Sequence, residues 1–450
     1  MHPVVHLEHD ELLPEAIQSD GDRLHCTFLE RTTLTLTAES APHGVFLSVA
    51  LDIRLVSFRS RRLGERAVLE LRMTALDGTD RWMGIAPRSS WWTAPVWAAR
   101  VQQLPPPVLS PCDAVAQTFR AAHDSGKITV LLRDERPLPE PFRYFGWCSW
   151  NAFYHDVSDA GMTEKLAEFR EMRLLVRWVL IDDGWSPDRD ERLTGFGAVP
   201  EKFPNGLREF TARAKSEFGI SWVGVWHAFF GYWCGVAPDS PLADRFRAHL
   251  VETNSGFLCP GSTEDDVFAI FDAWHGALEQ EGIDFVKIDG QGSLKDFLHG
   301  ERPAVPAAAV MHRGIERSVA RHFDNRVINC MGVTQENMFA RPQTALTRNS
   351  DDFFPDLPDS FRAHLMQNAY TGVFQRNLYA CDWDMWWSSH HSAVRSAVQR
   401  AVSGDLVYVS DKIGATDAAQ IRPLIEDDGR VLMGDERGTA CSAAPRTAAR

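Results

Sequence analysis

Residues 177–185 read RWVLIDDGW and residues 284–290 read DFVKIDG. Each is a short apolar run that closes on carboxylates, and amphipathic helical segments lie between such runs. This is the βα rhythm of a parallel barrel. Short runs that close on a polar or aromatic cluster recur in YFGWCSW (144–150), SWVGVWHAF (221–229), VINCMG (327–332), ALTRNSDD (345–352), VFQRNLYACDWDMW (373–386) and LVYVSD (406–411). Together they make eight, the closing number for a (β/α)8 barrel, expected over residues 143–430. The helices include 263–281, where Ser262 and Asp265 have capping-box-like spacing, and 389–402, which stops at Ser403-Gly404. The longest loops are expected after the third and fourth strands.

Upstream the texture differs. Val45, Leu47, Val49, Leu51, Ile53 and Leu55 alternate with polar residues, the period of a half-buried strand. Similar runs at 33–38, 67–73 and 128–134, separated by Gly, Asp and Pro, predict an antiparallel β domain, sandwich-like, over residues 1–142. From about Gly434 the chain is poor in large apolar residues and has no period, so a disordered tail is expected over residues 431–450.

The chain has 450 residues, room for a large barrel and one smaller domain. Its net charge of −14 argues against nucleic acid or an anionic membrane as partner. The start, MHPVVHLEHDELLPEA, carries acids where a secretory signal would need bases, and no stretch offers about 18 uncharged apolar residues. A cytoplasmic protein is expected. The eight cysteines show no C-x-x-C pairing, which disfavours zinc knuckles and a compact disulfide framework.

In a barrel the catalytic groups stand at the C-terminal ends of the strands. Lys287 and Asp289 are two apart on one strand and so share a face, where the ammonium favours an ionised carboxylate, as a nucleophile requires. Asp351 and Asp352 close the sixth strand, three and four residues after Arg348. Two carboxylates across a barrel mouth can act as nucleophile and acid/base in glycoside cleavage, with Asp351 the first choice for the acid/base and Asp352 the fallback. Asp182 and Asp183 end the second strand, where paired carboxylates can accept from vicinal sugar hydroxyls. Asp382 and Asp384 repeat the theme at the seventh, and Trp226 and His227 end the third. Adjacent His390 and His391 diverge on a helix, so no metal is expected.

The 15 Trp against 6 Tyr point the same way. Trp147, Trp150, Trp185, Trp226, Trp233, Trp383, Trp386 and Trp387 all lie at or near strand ends that carry Asp, His or Cys. An indole packs well on the C–H face of a pyranose, and these residues predict a sugar-stacking rim.

At these positions the sequence resembles the retaining α-galactosidases of glycoside hydrolase family 36, most closely their raffinose synthase and alkaline α-galactosidase (seed imbibition protein) branch. The matching blocks are RWMGIAPRSSWWTAP, FGWCSWNAFYHDVS, LIDDGW, KFPNGL, VGVWHAFFGYWCGV, DFVKIDGQ, RNSDDF, CDWDMWWSSHHSA and RAVSGDLVYVSD, in order between residues 81 and 411. The resemblance implies a double displacement with Asp289 as nucleophile and Asp351 as acid/base, and no cofactor. It also implies Asp182 and Asp183 on galactosyl hydroxyls, Trp150 beside the sugar, Lys287 next to the nucleophile, Cys330 and Gly332 near the 2-hydroxyl, and Arg348 as a polar contact. Asn151 stands where plant members usually carry Asp. The likeness fades after DDGRVLMGDE, so the C-terminal β domain of that family is expected to be short or missing. Hydrolysis of α-galactosides and transfer of galactose from galactinol to sucrose share one intermediate, and the motifs do not separate them. A non-catalytic sugar-binding barrel and a metal-dependent barrel using Asp182, Asp183 and Asp289 are the competing classes.

Overall fold

The computed structural model describes residues 111–433 except 299–301 and 358–359, together with the backbone of short strands between residues 5 and 85. The expected tail lies almost wholly outside the described residues. The early strands and the residues from Pro111 onward belong to two compact units.

In the first unit, Ala16–Asp20, Arg23–Phe28, Thr32–Ala41 and Gly44–Leu51 form a four-stranded antiparallel sheet in sequence order. Val5–His6 and Asp80–Ile85 flank Leu69–Thr74 in a second antiparallel sheet. The alternating runs at 33–38 and 45–51 fall within these strands, while Ile53 and Leu55 lie outside the described residues.

The second unit is built on eight parallel strands: β1 (Gly146–Cys148), β2 (Trp178–Ile181), β3 (Trp222–Ala228), β4 (Phe285–Asp289), β5 (Val327–Asn329), β6 (Leu346–Arg348), β7 (Ala380–Asp382) and β8 (Tyr408–Val409). Every expected run carries one. The order in the sheet is β7-β6-β5-β4-β3-β2-β1-β8, so β8 lies beside β1 and the sheet curls into a barrel. Among the described residues no backbone ladder joins β7 to β8. Side chains bridge that seam: the Cys381 amide donates to Asp405 Oδ2 at 2.8 Å, and the Tyr408 hydroxyl donates to Asp382 Oδ2 at 3.0 Å.

The helices are α1 (Pro111–Asp124), α2 (Asp159–Glu171), α3 (Gly206–Phe218), α4 (Glu264–Gln280), α5 (Ala304–Phe323), α6 (Ser360–Gln375) and α7 (Ala393–Ser403). α4 does start with a capping box, but one residue later than expected, on Thr263 and Asp266. Asp265 instead points outward to Arg317. α7 ends as anticipated, with Gly404 left-handed just beyond it. The longest loops follow β3 (229–263) and β2 (182–205), not β3 and β4.

Residues 128–134 alternate like a strand yet pair with none. Ile128 and Val130 bury against Met338, Leu378 and Tyr379, so their apolar side chains are satisfied by covering the barrel rather than by joining a sheet. The link from β5 to β6 contains only one short helix, Gln335–Met338, and Phe119 of α1 stacks on Phe339 there, with ring centroids 6.2 Å apart.

Alternation along the strands fills the barrel in layers. Trp178, Phe285 and Phe142 meet edge-to-face in the lower interior, where Tyr408 also packs against Trp178. Room for Trp178 exists because position 146 is glycine: a Cβ there would stand 2.0 Å from the indole. Further along the strands the same inward face turns polar, two residues on at Lys287 after Phe285 and four on at Asp182 after Trp178.

Candidate active site

Period two carries the phase set by Trp178 and Phe285 up to Asp182, Lys287 and Asp289, while the paired register sets Trp226 of β3 opposite Lys287. The Lys287 ammonium donates to Asp182 Oδ2 at 2.8 Å and stands 3.9 Å from Asp289 Oδ2. Burial opposes the lysine's charge, but Asp182 and the other anionic neighbours outweigh it and hold the ammonium protonated. Asp182 Oδ2 also accepts from the Cys148 thiol at 3.1 Å, and Oδ1 from the Asp183 amide. The carboxylate of Asp289 is fixed on both sides, by the Trp226 indole N–H on Oδ2 (3.0 Å) and by the Gly290 amide on Oδ1 (2.7 Å).

Asp183 turns the other way and is wrapped by the loop after β3. The Tyr232 hydroxyl donates to Oδ1 at 2.6 Å, the Trp233 indole to Oδ2 at 2.8 Å, and the exposed His155 ring lies 3.2 Å from Oδ2. Burial pushes this carboxyl up from its ordinary pKa, against the downward pull of those donors.

Across the barrel, the buried Arg348 guanidinium serves three carboxylates. Nε donates to Asp382 (3.1 Å), Nη1 to Asp352 (2.7 Å), and Nη2 stands 2.6 Å from Asp384 and donates to the Tyr408 hydroxyl at 3.2 Å. Burial pushes Asp352 up to about 6: Arg348 opposes the shift, Asp384 and Asp289 add to it, and Lys287 works against it. About a third of its side chain (30%) still reaches solvent. In Asp384, Arg348 and His364 overcome burial and hold the carboxyl well below the usual range.

These contacts divide the expected residues. Asp182, Lys287, Asp289, Trp226, Arg348, Asp352 and Cys330 form one electrostatically connected group, with the Cys330 thiol kept neutral by burial. Asp382 and Asp384 join it chiefly through Arg348: both are buried, with their oxygens turned to Arg348, Tyr408, His364 and backbone amides. Asp351 is exposed, and its Oδ1 accepts from the Asp352 amide. Gly332 presents its carbonyl to the buried Arg341, and a Cβ there would stand 1.8 Å from that guanidinium, so glycine is required for close approach. Trp150 is half-buried, edge-on to Tyr154 and His155. His227 does not join the group. It alternates with Trp226, so its ring points to the helix layer, where Nε2 meets His275 Nε2 at 3.0 Å, and burial lowers its pKa to about 4.

The expected indole rim is also corrected. Trp147, Trp185, Trp226, Trp383 and Trp386 are buried, and only Trp150, Trp233 and Trp387 of that set are partly open. Trp147 packs on Phe153 and Phe169 behind the sheet, because a strand-end residue has an even chance of facing the helices. Sequence reasoning missed Tyr232, Cys148 and Tyr408, whose roles depend on partners far along the chain. Only the placement of Tyr408 two residues before Ser410, in a run that closes on polar residues, hinted at an inward phase.

The family model described as raffinose synthase or seed imbibition protein Sip1 matches residues 109–195 and 199–441. Among curated proteins, a probable galactinol–sucrose galactosyltransferase 6 of Arabidopsis thaliana is 33% identical over 335 residues, covering 67% of this chain and 45% of the relative. A probable galactinol–sucrose galactosyltransferase 1 of the same plant is 30% identical over 368 residues, covering 72% and 49%. An alpha-galactosidase of Lactobacillus acidophilus is 24% identical over 205 residues, covering 41% and 26%. The chain thus spans about half the length of the plant relatives it matches.

Proposed function

Since the chain belongs to the raffinose synthase and seed imbibition protein family, we propose that it is a retaining enzyme acting on α-galactosides through a covalent galactosyl intermediate. The observation that carries this reading is the pair of differently prepared carboxylates in one polar cluster. Asp289 is fixed by Trp226 and Gly290 with Lys287 alongside, and Asp352 is raised to about 6 beside Arg348. Such a division suits one group to attack and the other to donate a proton.

In this reading Asp289 attacks the anomeric carbon while Asp352 protonates the departing oxygen, then takes a proton from the acceptor in the second half. The reading assigns the acid/base to Asp352 rather than Asp351 because Asp351 is exposed and occupied in capping its neighbour's amide. Asp183, held by Tyr232 and Trp233, and Asp182, held by Lys287 and Cys148, are placed in the proposal as acceptors of sugar hydroxyls. The acceptor in the second step is water in a hydrolase and a sugar hydroxyl in a transferase. The names of the plant relatives favour transfer from galactinol to sucrose as the second reading.

The test is product analysis. Free galactose from melibiose or raffinose supports hydrolysis, raffinose from galactinol plus sucrose supports transfer, and neither product from any of these substrates overturns the proposal. We place the protein in the cytoplasm, where the free thiols of Cys148 and Cys330 beside Lys287 would stay reduced. Among the described residues no helix is long and apolar enough to cross a membrane.

A further inference from the structure

The loop after β6 is held by side chains. Four successive backbone amides each donate to a side-chain oxygen: Asp351 to Gln367 Oε1 at 2.9 Å, Asp352 to Asp351 Oδ1 at 2.9 Å, Phe353 to Asp384 Oδ2 at 2.6 Å, and Phe354 to Ser360 Oγ at 2.9 Å. Just before them, Ser350 Oγ lies 3.0 Å from His364 Nε2, and the Asn349 amide side chain donates to the Asn368 carbonyl at 2.6 Å.

Ser360, His364, Gln367 and Asn368 follow the i, i+4, i+7, i+8 spacing of one helix face, so α6 turns a polar stripe towards this loop. Its large apolar residues Leu365, Met366, Tyr370 and Phe374 are exposed instead. An amphipathic helix packed only for burial would have the opposite orientation. The polar stripe is explained if the inward face serves the loop, whose amides would otherwise have no partner inside the fold.

We infer that Gln367 is a positioning residue for Asp352, and that the polar face of α6 aims the proton donor by holding the Asp351 amide before it and the Phe354 amide after it. The inference rests on the reading of Asp352 as acid/base. Proton transfer needs the carboxyl within hydrogen-bond reach of the departing oxygen, so loosening this loop lowers the rate most where protonation matters most. Gln367 is itself exposed, so its removal leaves the core intact.

The experiment compares Gln367→Ala with Gln367→Glu, which keeps an acceptor at the same reach. Hydrogen exchange of residues 351–354 and turnover of melibiose and of para-nitrophenyl α-galactoside are measured for each and for wild type. Gln367→Ala is expected to speed exchange in 351–354 and to lower kcat/KM on melibiose by about fivefold, with little change in kcat/KM on the aryl substrate, whose leaving group needs no proton. Gln367→Glu is expected to restore both. Unchanged exchange in Gln367→Ala overturns the inference whether or not the protein is active. Faster exchange with equal losses in kcat/KM on both substrates overturns it as well. Wild-type protein that turns over neither substrate but shows faster exchange in the variant overturns the galactoside reading and supports the holding role of Gln367.

Discussion

The indole N–H of Trp226 lies 3.0 Å from Asp289 Oδ2, a contact between neighbouring strands made inside the barrel. In the proposed mechanism this carboxylate attacks a sugar carbon along one line, and the indole sets its direction. Trp226→Phe keeps most of the ring and loses the donor. A hydrogen bond to a charged group of this kind corresponds to about a tenfold rate effect or more. We expect kcat to fall by that factor, with slower covalent labelling of Asp289 by a fluorinated galactosyl inhibitor. Labelling at the wild-type rate would show that the indole does not steer the nucleophile.

Asp352 and Asp351 are separable by leaving group and by pH. Asp352→Asn is expected to cost about a hundredfold or more in kcat/KM on melibiose and far less in kcat/KM on an aryl galactoside, while Asp351→Asn costs little on either. A general acid works protonated, and a group raised to about 6 loses its proton as pH climbs through that value. For melibiose, kcat/KM should therefore decline above pH about 6, and Asp352→Asn should remove that descending limb. An unaltered limb in Asp352→Asn would assign it to another group.

Tyr232→Phe tests the wrapping of Asp183. The hydroxyl donates to that buried carboxylate at 2.6 Å, and its loss leaves an oxygen short of a partner. We expect KM for galactosides to rise by about tenfold with a smaller change in kcat. A change confined to kcat would contradict a role in substrate binding.

Gly146→Ala tests the barrel interior. Its new methyl would stand 2.0 Å from the Trp178 ring, which is itself packed on Phe142, Phe285 and Tyr408 and has nowhere to go. Overpacking of this kind costs about 1–3 kcal/mol or more. The thermal midpoint of the variant should drop by several degrees, and a double change that trims Trp178 to Phe should recover part of it.

Sequence made the strands legible because an apolar run that ends on charges has few homes other than a parallel barrel, and all eight runs carry strands. Phase was harder to read. Lys287 and Asp289 share a face by counting, but whether His227 or Trp226 faces inward depends on what the helix layer offers, and here His275 and Trp274 receive the histidine. The doublet Asp351-Asp352 could not be resolved by composition, since the difference between them is one guanidinium reaching Asp352 and one amide reaching Asp351. The indoles misled for a related reason: large rings near strand ends serve the outer packing as readily as the mouth. Contacts such as Tyr232 on Asp183 join residues 49 apart and leave no local signature.

The seam between β7 and β8 gives the barrel an interlock between completion and competence. Tyr408 bridges Asp382 and Arg348, and Arg348 in turn grips Asp352. In the proposed mechanism, the strand that closes the sheet and the residue that gives the proton are thus joined through one guanidinium. The proposed activity therefore requires the eighth strand to be seated, because its tyrosine holds the guanidinium that holds Asp352.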